Sequence, residues 1–254
     1  MGLRSLARQL LAVSRKPIYY LPWLIRPGLQ CVLVLSNVES RFKAGYNQGP
    51  FPVSLVQYDA NGAPSRRYQV SLESAADTVE LALDPAPGGC GFVTVEGDRI
   101  NSDLYATLSH EASYTATHGR GEFTETYPLH ARVLLAVAQT VLGLVGRALP
   151  AFVRDQYVYV GPDSCSHLLL MNLSNVPNRI RVAASVDGRA IGTRLLRLAP
   201  MGSALLDVLT LGSRPDRGTA VWRLRLQGAA WFNLYVLGAG SRDLSGPLSL
   251  MHVK

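Results

Sequence analysis

The chain is poor in cysteine, poor in lysine and free of any long apolar run. Its three cysteines, Cys31, Cys90 and Cys165, stand apart with no CxxC pair and no metal-type spacing. That excludes a disulfide framework and a zinc ribbon. Cys31 sits in an apolar run and is expected in the core, whereas Cys90, flanked by glycines, is a place for an exposed thiol. The longest apolar stretch, Val133 to Gly146, is interrupted by Gln139 and Thr140 and is shorter than the roughly 20 residues of a transmembrane helix. The first sixteen residues hold no apolar core of signal-peptide length, so a cytoplasmic protein is expected. No nucleophile elbow, P-loop or dinucleotide fingerprint occurs in the right setting. Gly88-Gly89-Cys90-Gly91 is followed by a strand-like run, so it presents no helix N-terminus to a phosphate. Charged residues make up only 17% of the chain against 48% hydrophobic, which excludes wholesale disorder.

What the chain does contain is one pattern written twice. Leu35-Ser36-Asn37-Val38 recurs as Leu173-Ser174-Asn175-Val176, each after an apolar run, Cys31 to Val34 and Leu168 to Met171. A strand-like segment follows in both places and ends in a turn, Asn61-Gly62 in one and Asp187-Gly188 in the other. Two further segments match in order: 67–72 with 193–198, and 78–83 with 204–209. The order predicts an internal duplication. Strand signals also fall at 91–96 and 104–117, and Trp222-Arg223-Leu224-Arg225-Leu226 alternates so that Trp222, Leu224 and Leu226 share one face. Evenly spaced strands with Gly, Pro and Asn turns, and no alternating βα units, point to a predominantly all-β chain of two antiparallel β-sandwiches.

Residues 129–155 break the strand pattern. Val133 to Leu144 is expected to be a helical connector burying Leu134, Leu135, Val137, Val141 and Leu142. The domains are therefore a first sandwich over 17–128, the connector, and a second sandwich over 156–254. Before them, residues 1–16 read as a basic amphipathic helix, with Leu3, Leu6, Leu10 and Leu11 on one face and Arg4, Arg8 and Arg15 elsewhere. That segment is an alternative route to a membrane surface.

Tyr19-Tyr20-Leu21-Pro22, then Leu33 to Asn37, then Val53 to Gly62 with its Tyr58-Asp59-Ala60-Asn61-Gly62 hairpin, resemble bacterial immunoglobulin-like β-sandwich repeats. The second half is similar through Ser166 to Asn175 and Val186-Asp187-Gly188. The resemblance implies a binding or structural module.

The densest polar segment is 109–130, with three histidines and three glutamates. A ligand site is expected where it meets the insertion between Ser40 and Pro52, which has no counterpart in the second half. Tyr114, His118, Arg120, Glu122 and Tyr127 would come from the segment, and Arg41, Lys43, Tyr46 and Asn47 from the insertion. Aromatic faces with a few directional polar groups suit a polar ligand. The expected function is non-enzymatic binding of a glycan or protein partner, with no cofactor and no nucleic acid. The alternative is a divalent metal, held by His110, His118, Glu122 and His130 if the segment folds back on itself. On one extended strand His110 and His118 share a side but stand about 26 Å apart.

Overall fold

The computed structural model describes residues 12–36, 50–73, 77–96, 104–111, 113–162, 164–215 and 218–252. These residues are mostly strand, in four antiparallel sheets, with one α-helix. The first half contains β1 (Ser14–Leu24), β2 (Gln30–Ser36), β3 (Phe51–Tyr58), β4 (Pro64–Leu72) and β5 (Thr78–Ala82). It continues with β6 (Cys90–Glu96), β7 (Tyr105–His110), β8 (Ser113–His118) and β9 (Arg120–Thr126). Helix α1 (Leu129–Leu144) follows. The second half contains β10 (Phe152–Val160), β11 (Cys165–Asn172), β12 (Asn178–Val186) and β13 (Arg189–Leu198). It ends with β14 (Ser203–Asp207), β15 (Ala220–Gly228), β16 (Phe232–Ala239) and β17 (Leu248–His252).

Sheet I runs β4-β3-β6-β1-β9 and sheet II β5-β2-β7-β8; sheet III runs β10-β15-β12-β13 and sheet IV β14-β11-β16-β17. With β9 set aside, each strand of the first half has the same neighbours as the strand nine places later. The two Leu-Ser-Asn-Val segments follow or overlap the ends of corresponding strands, β2 and β11; Asn37 and Val38 lie outside the described residues.

Burial explains the layering. β11 is buried at every position, as a continuous apolar run predicts for a strand covered on both faces. Leu168 and Leu170 join β16 residues Leu234 and Val236 in a core with Trp222, Leu224 and Leu226 of β15. Leu169, Met171, Tyr235 and Leu237, one position out of phase, join Tyr20, Trp23, Phe92 and Leu33 in a second core. Sheet IV is therefore an interior layer between sheet III and the first half. Tyr20 meets Phe92 and Tyr235 edge to face, with ring centroids 6.1 and 6.3 Å away.

Three expectations are corrected. The 104–117 strand is two strands, β7 and β8, joined by a tight turn at Glu111 (φ 49°). Cys90 is buried, as are Cys31 and Cys165; burial pushes the Cys31 thiol up to about 12. Ser14 to Lys16 belong to β1 rather than to a helix, and residues 1–11 lie outside the described residues.

The connector is helical but faces the other way. Ala131, Leu135 and Gln139 are its buried residues. Leu134, Val137 and Val141 are exposed, at 61, 59 and 60%. Gln139 turns inward because it completes a backbone pair: its Nε2 donates to the Pro177 carbonyl at 2.8 Å, and its Oε1 accepts from the Arg179 N–H at 2.7 Å. One satisfied polar side chain thus sets the helix phase against the hydrophobicity of the sequence.

Candidate functional site

A cleft of about 1190 Å³ lies over the outer part of one face of sheet I. Strand alternation builds its floor. Lys16 and Ile18 of β1 lie beside Thr124 of β9, and Thr94 and Glu96 of β6 lie beside Ser54 of β3. Pro50 and Pro52 close one side, and Asn175 and Met201 of the second half close another. The floor is polar but only partly self-satisfied. Lys16 Nζ is 3.9 Å from Glu96 Oε1 with both side chains largely exposed. Ser54 Oγ donates to Gln69 Oε1 at 3.0 Å.

The wall depends on how the halves dock. The second Leu-Ser-Asn-Val segment pairs with the end of β9: Glu125 N–H donates to Leu173 O at 2.9 Å, and Asn175 N–H donates to Glu125 O at 3.1 Å. The Asn175 amide accepts from Tyr127 N–H at 2.8 Å and donates to Tyr127 O at 3.1 Å. The Glu125 side chain is fully buried, yet it receives Arg15 at 2.9 Å and the Tyr127 hydroxyl at 2.6 Å. A buried carboxylate tolerates its loss of water only with such partners. On the other side of the wall, Ser203 N–H donates to Ala60 O at 3.0 Å. A Cβ on Gly62 (φ +80°) would stand 1.9 Å from Pro200 O, so this contact requires glycine on two grounds.

Next to the cleft, a second polar cluster joins the halves. Arg120 meets Glu122 at 2.9 Å, Asn233 Nδ2 reaches the same carboxylate at 3.4 Å, and Arg154 donates to Asn233 Oδ1 at 2.9 Å. Arg154 lies 4.9 Å from the Trp231 ring centroid, and Trp231 stacks on Phe123 at 4.9 Å. Burial, and then Arg120, lowers the Arg154 pKa from its ordinary value. Burial, and then the Coulombic influence of Tyr235, raises the Tyr20 phenol well above its ordinary value.

Those of the expected ligand-site residues that the structure describes do not converge. Tyr114 is exposed on β8 of sheet II, opposite Ser109. His118 ends that strand and is exposed, its Nδ1 3.1 Å from Gly119 O. Gly119 then carries the chain from sheet II to sheet I, where a Cβ would strike the Tyr19 ring at 2.3 Å. Arg120 and Glu122 therefore belong to the contact between halves, and Tyr127 is buried against Glu125. Arg41, Lys43, Tyr46 and Asn47 lie outside the described residues.

The metal set is also dispersed. His110 pairs with Ser113 beside the β7–β8 turn, whereas His118 pairs with Tyr105 at the far end of the same hairpin. Glu122 is tied to Arg120, and His130 is exposed on α1. Among the described residues, no group of three His, Cys, Asp or Glu side chains is placed to hold a metal ion.

The cleft nevertheless lies where the end of the polar segment meets the end of the insertion, through Thr124, Thr126, Pro50 and Pro52. Sequence reasoning passed over Ser54, Thr94, Glu96, Thr124 and Asn175. The available signal was a hydroxyl or carboxylate recurring at two-residue spacing inside strands, as in Thr94 with Glu96 and Thr124 with Thr126.

Comparison with protein-family models, with curated proteins and with solved structures returned no match. No helix among the described residues is long and apolar enough to cross a membrane.

Proposed function

We propose that this is a non-enzymatic binding protein, a duplicated pair of immunoglobulin-like sandwiches that holds a glycan or an extended protein segment in the sheet I cleft. The observation carrying this reading is the cleft itself, which has a mixed lining and two walls supplied by different halves. Its size is at or slightly above the upper end of small-molecule pockets. The hydroxyls of Ser54, Thr94, Thr124 and Thr126 and the flanking Lys16 and Glu96 offer donors and acceptors of both kinds. Tyr19 and Tyr58 also line the space and bring aromatic surface to it. The chemistry is that of reversible recognition: hydrogen bonds to a polar chain, with Ile18 offering an apolar contact to its less polar edge.

The test is an array of glycans and extended peptides probed with the full chain. Ser54→Trp fills the cleft and Thr124→Lys changes its charge. Both lie at partly exposed positions of sheet I. Binding weakened by both, with an unchanged circular dichroism spectrum, supports the reading. A ligand bound equally well by both variants would place the site elsewhere.

A further inference from the structure

Helix α1 shows solvent the wrong side. Its crest carries Leu129, Val133, Val137 and Leu144, exposed by 73, 55, 59 and 83%, and Leu134 and Val141 flank it. Its only mid-helix amide side chain, Gln139, points inward and is fully engaged. The helix holds no acidic residue, and Arg132 and Arg147 stand exposed toward its two ends. An apolar face of this kind, with cations beside it, is how a helix lies in a lipid interface.

A second observation is independent of the helix. The outer face of sheet III is an arginine field. Cross-strand register puts Arg179 directly opposite Arg197. It puts Arg181 beside Gln227, and Arg225 beside Ala183. Tyr157 lies opposite Arg223, and Tyr159 opposite Val221. Like charges directly opposite each other destabilise a sheet. The only carboxylate in this register is Asp155, which stands opposite Arg225 but makes its ion pair with Arg223 at 3.1 Å. Among the described residues, Arg179, Arg181, Arg197 and Arg225 have no salt-bridge partner. Tyr157 and Tyr159 are exposed by 58 and 67% on the same face, and tyrosine is a residue of membrane–water interfaces.

The two features adjoin. The Arg179 backbone N–H donates to Gln139 Oε1, and the Arg179 guanidinium packs so close to Gly143 that a Cβ there would lie 1.4 Å away. Glycine is what lets the arginine field reach the helix. Val13 packs in the same small cluster as Ala131 and Leu135.

We infer that helix α1 and the outer face of sheet III together form a docking surface for an anionic lipid bilayer. The apolar crest enters the acyl boundary, and the arginines meet the headgroups. A nucleic acid would satisfy the arginines but offers no apolar phase for the valines and leucines of the crest. A lipid surface satisfies both. The inference does not depend on the cleft or its ligand.

The test is cosedimentation of the full chain with phosphatidylcholine vesicles, with and without phosphatidylserine. We expect binding only when phosphatidylserine is present, weakening as salt is raised. Val137→Asp with Leu144→Asp, at exposed positions that leave the fold intact, should weaken it by about tenfold or more. Arg197→Gln with Arg225→Gln, both exposed, should also weaken it, by about thirtyfold for two headgroup contacts. No binding to phosphatidylserine vesicles would overturn the inference. So would binding untouched by both double variants, or binding lost only on deletion of residues 1–11. A vesicle-free dimer that Val137→Asp dissociates would overturn it in favour of a second copy of this chain.

Discussion

Asn178 is the residue whose replacement should be felt furthest. It is fully buried at the start of β12, and its amide holds the turn between β15 and β16. Oδ1 accepts from Ala229 N–H at 2.9 Å and from Ala230 N–H at 3.3 Å, and Nδ2 donates to Ala230 O at 2.9 Å. Ala229 and Ala230 are themselves buried, so water does not replace these bonds. Asn178→Leu keeps the volume and orphans two backbone donors and one acceptor. At about 1–3 kcal/mol for each of the three buried groups left unpaired, the gross loss is about 3–9 kcal/mol. The extra apolar surface of leucine returns about 1.5 kcal/mol, leaving a net loss of about 1.5–7.5 kcal/mol. That is a large part of the stability of an ordinary domain, about 5–15 kcal/mol. The turn also positions Trp231 against Phe123 and Asn233 against Glu122, so the loss should reach the contact between halves. Asn178→Asp separates the contributions. It keeps both accepted bonds but turns the third into a repulsion at neutral pH. Its stability should recover in part as the pH falls and the carboxyl becomes a donor. The assay is urea unfolding followed by circular dichroism, with the slope checked for constancy. A loss below about 1 kcal/mol for Asn178→Leu, at unchanged slope, would show that the turn finds other partners and would refute this account.

The inverted helix makes a paired prediction. Leu135→Ala should cost about 2–4 kcal/mol, whereas Val137→Ala should change stability by less than about 0.5 kcal/mol. Equal costs in thermal unfolding would mean that the valine face is covered after all. His167 makes a pH prediction. It is 3% exposed, and burial lowers its pKa below the ordinary 6.5, against the opposing pull of Asp207. The unfolded chain therefore takes up a proton before the folded one does. The contribution is fully present above pH 6.5 and is lost as the pH falls from there through the lowered folded value. Arg242 and Asp207 are the charged groups acting on this imidazole. Replacing it in His167→Phe should flatten the stability profile over that range; an unchanged slope in pH-dependent urea unfolding would rule out His167 as its source.

Much of this architecture follows from the sequence alone, because it rests on local periodicity. The order of turns and apolar runs located most of the strands, but not β9, β10 or β17. Alternation at Trp222, Leu224 and Leu226 named one core face, and the unbroken run Leu168 to Met171 marked a strand covered on both sides. Composition and absent motifs set the expectation of a binding protein. Tertiary structure decided what touches what. The polar segment looked like one site on paper, yet a tight turn at Glu111 and a single glycine at Gly119 send its parts to sheet II, to the contact between halves and to a cleft wall. Hydrophobicity suggested which helix face to bury, but the Pro177 carbonyl and the Arg179 amide needed Gln139, and an unmet backbone group costs more than an exposed valine. The arginine field arose in the same way. Arg179, Arg197 and Arg225 are scattered in sequence and become one surface only when strand register sets them on one face. Periodicity is a property of neighbours along the chain. Register, docking and the demands of buried polar groups are properties of neighbours in space.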